Sequence, residues 1–506
     1  MGRGLQYLTV RLPEDIEKLK WYGDFERAKR VIDMRLEKEI PEALRKRLEL
    51  ERWILKRLPL TYIYTREQAL ARMQEALRDV TGEELDRLQD EGAVEWIFIK
   101  GEVRYKDNFL ENLLKTRKEL WPRLKDPSMV EDRIKGSRLL DETIAAMKEK
   151  GGLAYRFHIR ASLKVKESTK RAGERIRVHL PVPVEKDQVR NFTLLGTSLP
   201  TYQIAPPDHP QRTVYMETEL KAGGEEFWVE YTFEDHIRYV DLGKERAAAL
   251  QIDSSEPDRE EISGEDPAKT IGGGKTDKSQ IKDGRSSESQ AKDGWTQYLG
   301  QQLPHIRFTP YLKDLTREVI GEETDPLQKA RKIYDYITTH VMYSFVRQYA
   351  TIEDLTGYMA SGLKGDCGIY ALLFITMCRI AGVPARWQSG LYATPLDIGC
   401  HDWARFYVAP YGWLYADCSF GGSAWRDGNE ERRDFYFGNL DPFRVPLCDQ
   451  FQEEFMPPKI FLREDPYDNQ SGEAEYMDRG LIEGVDYQTQ KELIHIEEIP
   501  FDPNIP

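Results

Sequence analysis

Three residues that together could open an amide bond stand in order in the last third of the chain: Cys367, His401 and Asp417. The cysteine lies in "KGDCGIYALLFITMCRIAGVPAR", Lys364 to Arg386, between a Gly-Asp pair and a single glycine. Asp366 is a favoured helix N-cap. The run from Cys367 to Ile380 is apolar on nearly every side, which predicts a buried helix with the thiol in its first turn. There the helix dipole and unpaired amides favour an anion, so a thiol of ordinary pKa ~8.5 is expected to fall into the range ~3.5 to 7.5 once a histidine approaches. Gly365 and Gly368 are expected to leave room for a substrate backbone. Cys378, about three turns farther along, reads as an inert buried thiol.

The partner groups come from "CHDWARFYVAPYGWLYADCSFGG", which predicts two strands joined by an Ala-Pro-Tyr-Gly turn at 409–412. His401 opens the first strand and Asp417 ends the second. Antiparallel pairing sets them opposite or diagonal to one another. A carboxylate there can accept from one imidazole nitrogen and leave the other for the cysteine.

The segments "GDCGIYALLFITMCRIAGVPAR", "HDWARFYV" and "GWLYADCS" resemble the transglutaminase-like domain. That papain-like fold is shared by transglutaminases, peptide N-glycanases and many bacterial candidate cysteine proteases. The resemblance covers about Trp295 to Met456. It implies Cys367 as nucleophile, His401 as general base and acid, and Asp417 as orienting residue. Trp403 and the Gly-Val-Pro-Ala-Arg run ending at Arg386 match family positions that look structural. Asp402 is a departure, because the family often has a small residue after the histidine; as a strand neighbour it is expected to face away from His401 and leave the triad undisturbed. The Cys367 amide is one expected oxyanion donor, and Gln348, Tyr349 and Tyr358 are alternatives for the second.

The elements that must position these residues make an α+β, multidomain chain of 506 residues. Residues 1–135 read as a helical N-terminal region: Phe25, Ala28, Ile32, Leu36 and Ile40 form an amphipathic stripe, and Thr65 with Gln68 and Thr81 with Glu84 fit capping boxes. "VEWIFIKGEVRY" interrupts the helices as a hairpin turning at Lys100-Gly101. Residues 150–242 change to a period of two and predict a mostly antiparallel, sandwich-like β domain, in which His158, His179 and His236 read as structural groups. That region resembles the domains that often precede transglutaminase-like cores. Residues 243–294 lose all aromatics and predict a flexible low-complexity linker. Residues 295–456 are the expected catalytic domain; its helix starting at Asp325-Pro326 buries Leu327, Ala330, Ile333, Ile337 and Val341. Residues 457–506 read as an acidic polar extension. Asp465, Asp468, Glu473 and Glu475 are spaced unlike a calcium loop and predict a solvated tail.

Composition narrows the function. Charged residues make up 32% and the formal net charge is −14, which argues against nucleic acid as the main partner. No stretch approaches the ~20 apolar residues of a membrane span, and no signal-like segment is legible, so the expectation is a cytoplasmic protein without a membrane partner. The five cysteines fit neither a disulfide framework nor a zinc site. The reading is therefore a cysteine-dependent hydrolase or acyltransferase, needing no cofactor and no metal, that acts on amide bonds of peptide or protein substrates through a thioester. Hydrolysis is favoured by analogy with bacterial members. The alternatives are a transglutaminase or deamidase and, from another class, a binding protein that keeps the fold without the chemistry.

Overall fold

The computed structural model describes residues 4–221, 226–243 and 294–503. Apart from its two end residues, the segment expected to be a linker lies outside them. The chain is α+β, with helices first, antiparallel sheets in the middle and a mixed core near residues 313–418.

Seven helices lead: α1 (Glu14–Tyr22), α2 (Phe25–Leu36), α3 (Glu42–Thr61), α4 (Arg66–Ala76), α5 (Gly82–Asp90), α6 (Phe109–Thr116) and α7 (Ser128–Lys150), with β1 (Trp96–Ile99) and β2 (Glu102–Tyr105) as a hairpin before α6. Local chemistry sets the boundaries. Thr65 and Gln68 exchange both bonds of a capping box, while Thr81 accepts only from the Glu84 amide. Lys100 and Gly101 both take positive φ in the hairpin turn, a conformation glycine adopts without penalty. Phe25, Ala28 and Ile32 bury the predicted stripe.

The middle region holds β3 (Gly152–Val165), β4 (Arg175–Pro181), β5 (Val189–Thr197), β6 (Gln203–Ile204), β7 (Thr213–Glu219) and β8 (Glu226–Arg238). The core follows with α8 (Pro310–Ile320), α9 (Pro326–His340), β9 (Met342–Tyr343), α10 (Leu355–Gly362), β10 (Lys364–Gly365), α11 (Cys367–Ile380), β11 (Ala385–Ala393), β12 (Ile398–Val408), β13 (Gly412–Ala416), α12 (Cys418–Asp427), α13 (Glu430–Phe435), β14 (Phe437–Gly438) and β15 (Arg444–Cys448). Two strands near the C-terminus, β16 (Glu473–Tyr476) and β17 (Tyr487–Ile499), complete the set.

The sheets explain how distant segments meet. One runs β14-β13-β12-β11-β15 and carries α11 against β11 and β12, with Phe374 and Phe406 in edge contact at 5.7 Å. Two four-stranded sheets run β17-β3-β8-β5 and β16-β4-β7-β6 and bury one shared core, including Phe157, Tyr231, Val178 and Met216. Val229, Tyr231 and Phe233 alternate inward as their period predicts. His158 bonds Glu230, His179 bonds Thr213 and His236 bonds Glu234, each a structural contact.

The expected solvated tail is corrected by this topology. Glu473 to Tyr476 pairs with β4, and Tyr487 to Ile499 pairs with β3. Asp468, Glu473 and Glu475 are buried; Lys459 and Arg463 hold Glu473, and Arg177 holds Glu475 at 2.6 Å. A charge run becomes interior when cations from other segments compensate it, and those pairings are long-range.

The N-terminal helices are not an appendage. Ile16, Ile32, Leu48 and Ile54 share a core with Leu372 and Phe374 of α11. Arg47, fully buried, bonds Glu51 and reaches Glu353.

Candidate active site

Asp366 caps α11, its carboxylate accepting from the Ile369 amide. Twelve of the fourteen residues of α11 are buried, and Cys367 lies half-buried at its mouth. The parallel pairing of Gly365 with Tyr343 brings the Tyr343 phenol against the thiol. The Tyr349 hydroxyl donates to Asp366.

The thiol's direct partner is Asp402, not His401. Cys367 Sγ donates to Asp402 Oδ2 at 3.2 Å, and among the described residues no hydrogen bond joins Cys367 to His401. Asp402 was expected to leave the site undisturbed. Successive residues of a strand point to opposite faces. Ala404 and Phe406 of β12 pack in the core of α11, and Asp402 continues their face towards the helix mouth. Asp402 is only 6% exposed, and its Oδ1 accepts from Gln470 Nε2 at 2.6 Å. The same Gln470 nitrogen donates to the His401 carbonyl at 3.0 Å.

This environment reverses the expected electrostatics of the thiol. Burial, then the charges of Asp402 and Asp366, push Cys367 well above the ordinary thiol value. Burial lifts Asp402 to about 7, with the nearby Asp366 adding to the rise. Burial also lifts Asp366 to about 6. A helix N-terminus favours an anion, but two carboxyl groups compete for that advantage and the apolar surroundings oppose ionisation. The expected space beside the glycines is occupied too: a Cβ on Gly368 would lie 2.9 Å from Asp402 Oδ2 and closer still to the Tyr349 hydroxyl.

His401 and Asp417 do meet. The register of β12 with β13, Ala404 opposite Ala416, sets them diagonally, and His401 Nε2 lies 2.7 Å from Asp417 Oδ2. Asp417 is fully buried as the cap of α12, where its Oδ1 accepts from the Phe420 amide at 2.9 Å. Arg444 Nη1 donates to the same Oδ2 at 2.9 Å and binds Asp441 with its other nitrogens. Burial alone would raise Asp417, but the opposed charges of His401 and Arg444 bring it down to about 2. Burial outweighs Asp417 at the imidazole and holds His401 below its ordinary value, so the ring is neutral near pH 7. With Nε2 engaged, Nδ1 is the nitrogen left for chemistry. The ring is held by Phe420 at 4.6 Å and by Trp403 at 6.1 Å.

The supporting residues fall into place. Trp403 donates to Gln388 at 2.8 Å, and Arg386 bonds Asp449 at 2.7 Å, both buried. Cys378 is fully buried. Of the three oxyanion alternatives, Gln348 donates to Glu464 and Tyr349 to Asp366, while Tyr358 lines a separate apolar cavity. Four contributors were not assigned from sequence: Tyr343, Arg444, Gln470 and Asp402 as the thiol's partner. Only Asp402 left a signal, as a carboxylate where a small residue is usual.

A cleft of about 420 Å³ opens beside His401, with Tyr343, Tyr392 and Phe420 along its wall. The thiol at the helix mouth, His401 and Asp417 all lie within one stretch of the chain, residues 313–418. Residues 313–418 match the model of the transglutaminase-like superfamily, and the chain carries a domain of that superfamily.

An uncharacterized protein of Haemophilus influenzae is 26% identical over 137 residues, covering 22% of this chain and 37% of the relative. The match thus spans little more than a third of that relative's length. Among solved structures, a candidate cysteine protease of Cytophaga hutchinsonii is 12% identical with a TM-score of 0.38, over 70% of this chain and 96% of that one. The periplasmic domain of TgpA from Pseudomonas aeruginosa is 13% identical with a TM-score of 0.26, over 57% and 95%. No helix among the described residues is long and apolar enough to cross a membrane.

Proposed function

We propose that the protein is a cysteine-dependent hydrolase of amide bonds in peptides or proteins, working through a thioester on Cys367. The observation that carries this reading is the pairing of His401, on the strand whose Asp402 contacts the thiol, with a buried, ionised Asp417. His401 Nδ1 accepts the proton of Cys367 as Sγ bonds to the amide carbon. The resulting imidazolium then gives that proton to the departing amine as the C–N bond breaks. Water adds to the thioester, passing a proton to His401, and the C–S bond breaks to release the acid and restore the thiol. In this sequence Asp402 releases the thiol as substrate enters, and Asp417 holds the imidazole and stabilises its charged form. An amine in place of water makes the same site a transglutaminase.

A specific observation favours a second reading. The thiol bonds a carboxyl group and its ionisation is opposed, which fits a fold kept for binding. Intact mass spectrometry with an activated peptide ester at pH 7 separates the two. The enzyme reading expects an acyl adduct on Cys367 that turns over, disappears in Cys367→Ala and forms at least about a hundredfold more slowly in His401→Ala. Because burial holds His401 low, turnover should persist below pH 6.5 before its acid limb is reached. An adduct rate indifferent to His401 would leave the binding reading.

A further inference from the structure

The cleft beside His401 is shared between regions far apart in sequence. Lys115 of α6, Arg133 of α7, Arg426 of α12 and Arg432 of α13 all line it. Two carboxylates, Asp397 and Asp427, also border it. Asp427 is already committed: Lys118, Arg133 at 3.3 Å and Arg432 at 2.9 Å all share it, and Arg432 also holds Asp141 at 3.2 Å. Lys115 and Arg426 differ. Both are exposed, and among the described residues neither has an ion pair. Lys115 Nζ rests over the rings of Tyr343, at 5.2 Å, and Phe345, at 4.9 Å; the Arg426 side chain meets the Tyr370 hydroxyl.

Two uncompensated cations in a concave, partly aromatic site are notable on a chain whose net charge is −14. Clefts with low-dielectric walls focus such a field, while the rest of the surface repels anions. The cations sit on a cleft that also holds His401 and the Tyr343 phenol that touches Cys367. We propose that this cleft receives the substrate and selects peptides carrying a carboxylate close to the reacting amide, with Lys115 and Arg426 as the residues that bind it. The proposal rests on the hydrolase reading for the chemistry after binding, and it gives the N-terminal helices a function: α6 and α7 line part of the cleft, and α6 supplies Lys115.

Binding by a Cys367→Ala form, which cannot turn over, tests this without relying on catalysis. The probes are hexapeptides with a neutral fluorophore: one with an internal Glu and an amidated C-terminus, one with Ser in its place, and one with Ser and a free C-terminal carboxylate. The Glu peptide or the free-carboxylate peptide should bind roughly tenfold more tightly than the neutral one, and which of them does identifies the source of the charge. The preference should vanish in Lys115→Ala with Arg426→Ala, reverse towards a Lys peptide when both become Glu, and shrink in high salt. Lys118→Ala, a cation already paired with Asp427, should leave it intact. Equal affinity for all three peptides, or a preference unchanged by the double substitution, overturns the proposal. A charge preference without turnover by the wild type keeps the cleft and rejects the hydrolase.

Discussion

His401 and Asp402 are neighbours on one strand, yet they belong to opposite electrostatic regimes. The His401 side holds Asp417 between an imidazole and the buried Arg444, and that carboxylate sits at about 2. On the Asp402 side there is no comparable cation: a thiol, an amide and the carboxyl groups of Asp366 and Asp468 are its neighbours, and burial lifts it to about 7. Both carboxyl groups are at least nine-tenths buried, so depth alone does not separate them. Desolvation always opposes the charge, and the compensating partner decides whether charge survives. One face therefore carries a fixed negative charge that can support an imidazolium. The other carries a proton that can move near neutral pH.

Removing the cation should have the largest effect. Arg444 is fully buried and neutralises Asp417 and Asp441 together. Arg444→Ala leaves two carboxylates in the interior without the cation that binds both, and is expected to cost about 3–5 kcal/mol in urea unfolding. Its second signature lies in the site: with Arg444 gone, Asp417 rises from about 2 towards the ordinary range, making the His401 face resemble the Asp402 face. A variant that unfolds at the wild-type urea concentration would show that the contrast does not depend on Arg444.

The opposite change should make the Asp402 face permissive. At pH 8 Asp402, with its value of about 7, is mostly ionised, accepts the thiol proton and repels a thiolate. Asp402→Asn removes the charge, so iodoacetamide should label Cys367 about tenfold faster at pH 8. At pH 5 the wild-type carboxyl is protonated and the charge difference is gone, so the two rates should converge. Acceleration that is the same at both pH values would attribute the effect to space, and no acceleration would remove Asp402 from control of the thiol.

Much of this was legible in the sequence, for reasons that particular residues make plain. The helix at Cys367 is local: an Asp cap followed by an apolar run specifies it without help from elsewhere. The His401–Asp417 bond follows from a hairpin whose turn is written in four consecutive residues. The thiol's real partner was not legible, because side-chain period two says that Asp402 opposes His401 but not which face the helix mouth meets. Gln470 and Arg444 were beyond reach for a different reason. They lie 68 and 27 residues from their partners and arrive through pairings of the C-terminal segment and of β15 that have no local signature. The same long-range pairing turned an acidic stretch expected to be a tail into strands of two sheets.

Gln470 offers the finest adjustment of the contrast. It is the described donor to Asp402 Oδ1, at 2.6 Å, and a donor favours the ionised form of a carboxyl group. Gln470→Ala should therefore raise Asp402 further above its ordinary value, by about half a pH unit, while lowering stability by about 1 kcal/mol. The labelling rate of Cys367 against pH reads the first effect directly. In the wild type, ionisation of Asp402 near pH 7 restrains the rise of the rate with pH; in the variant that restraint should set in at higher pH. An inflection that moves downward instead would mean that Gln470 holds the neutral carboxyl in place. Asp402 would then act as a hydrogen-bond donor whose proton Gln470 helps to retain.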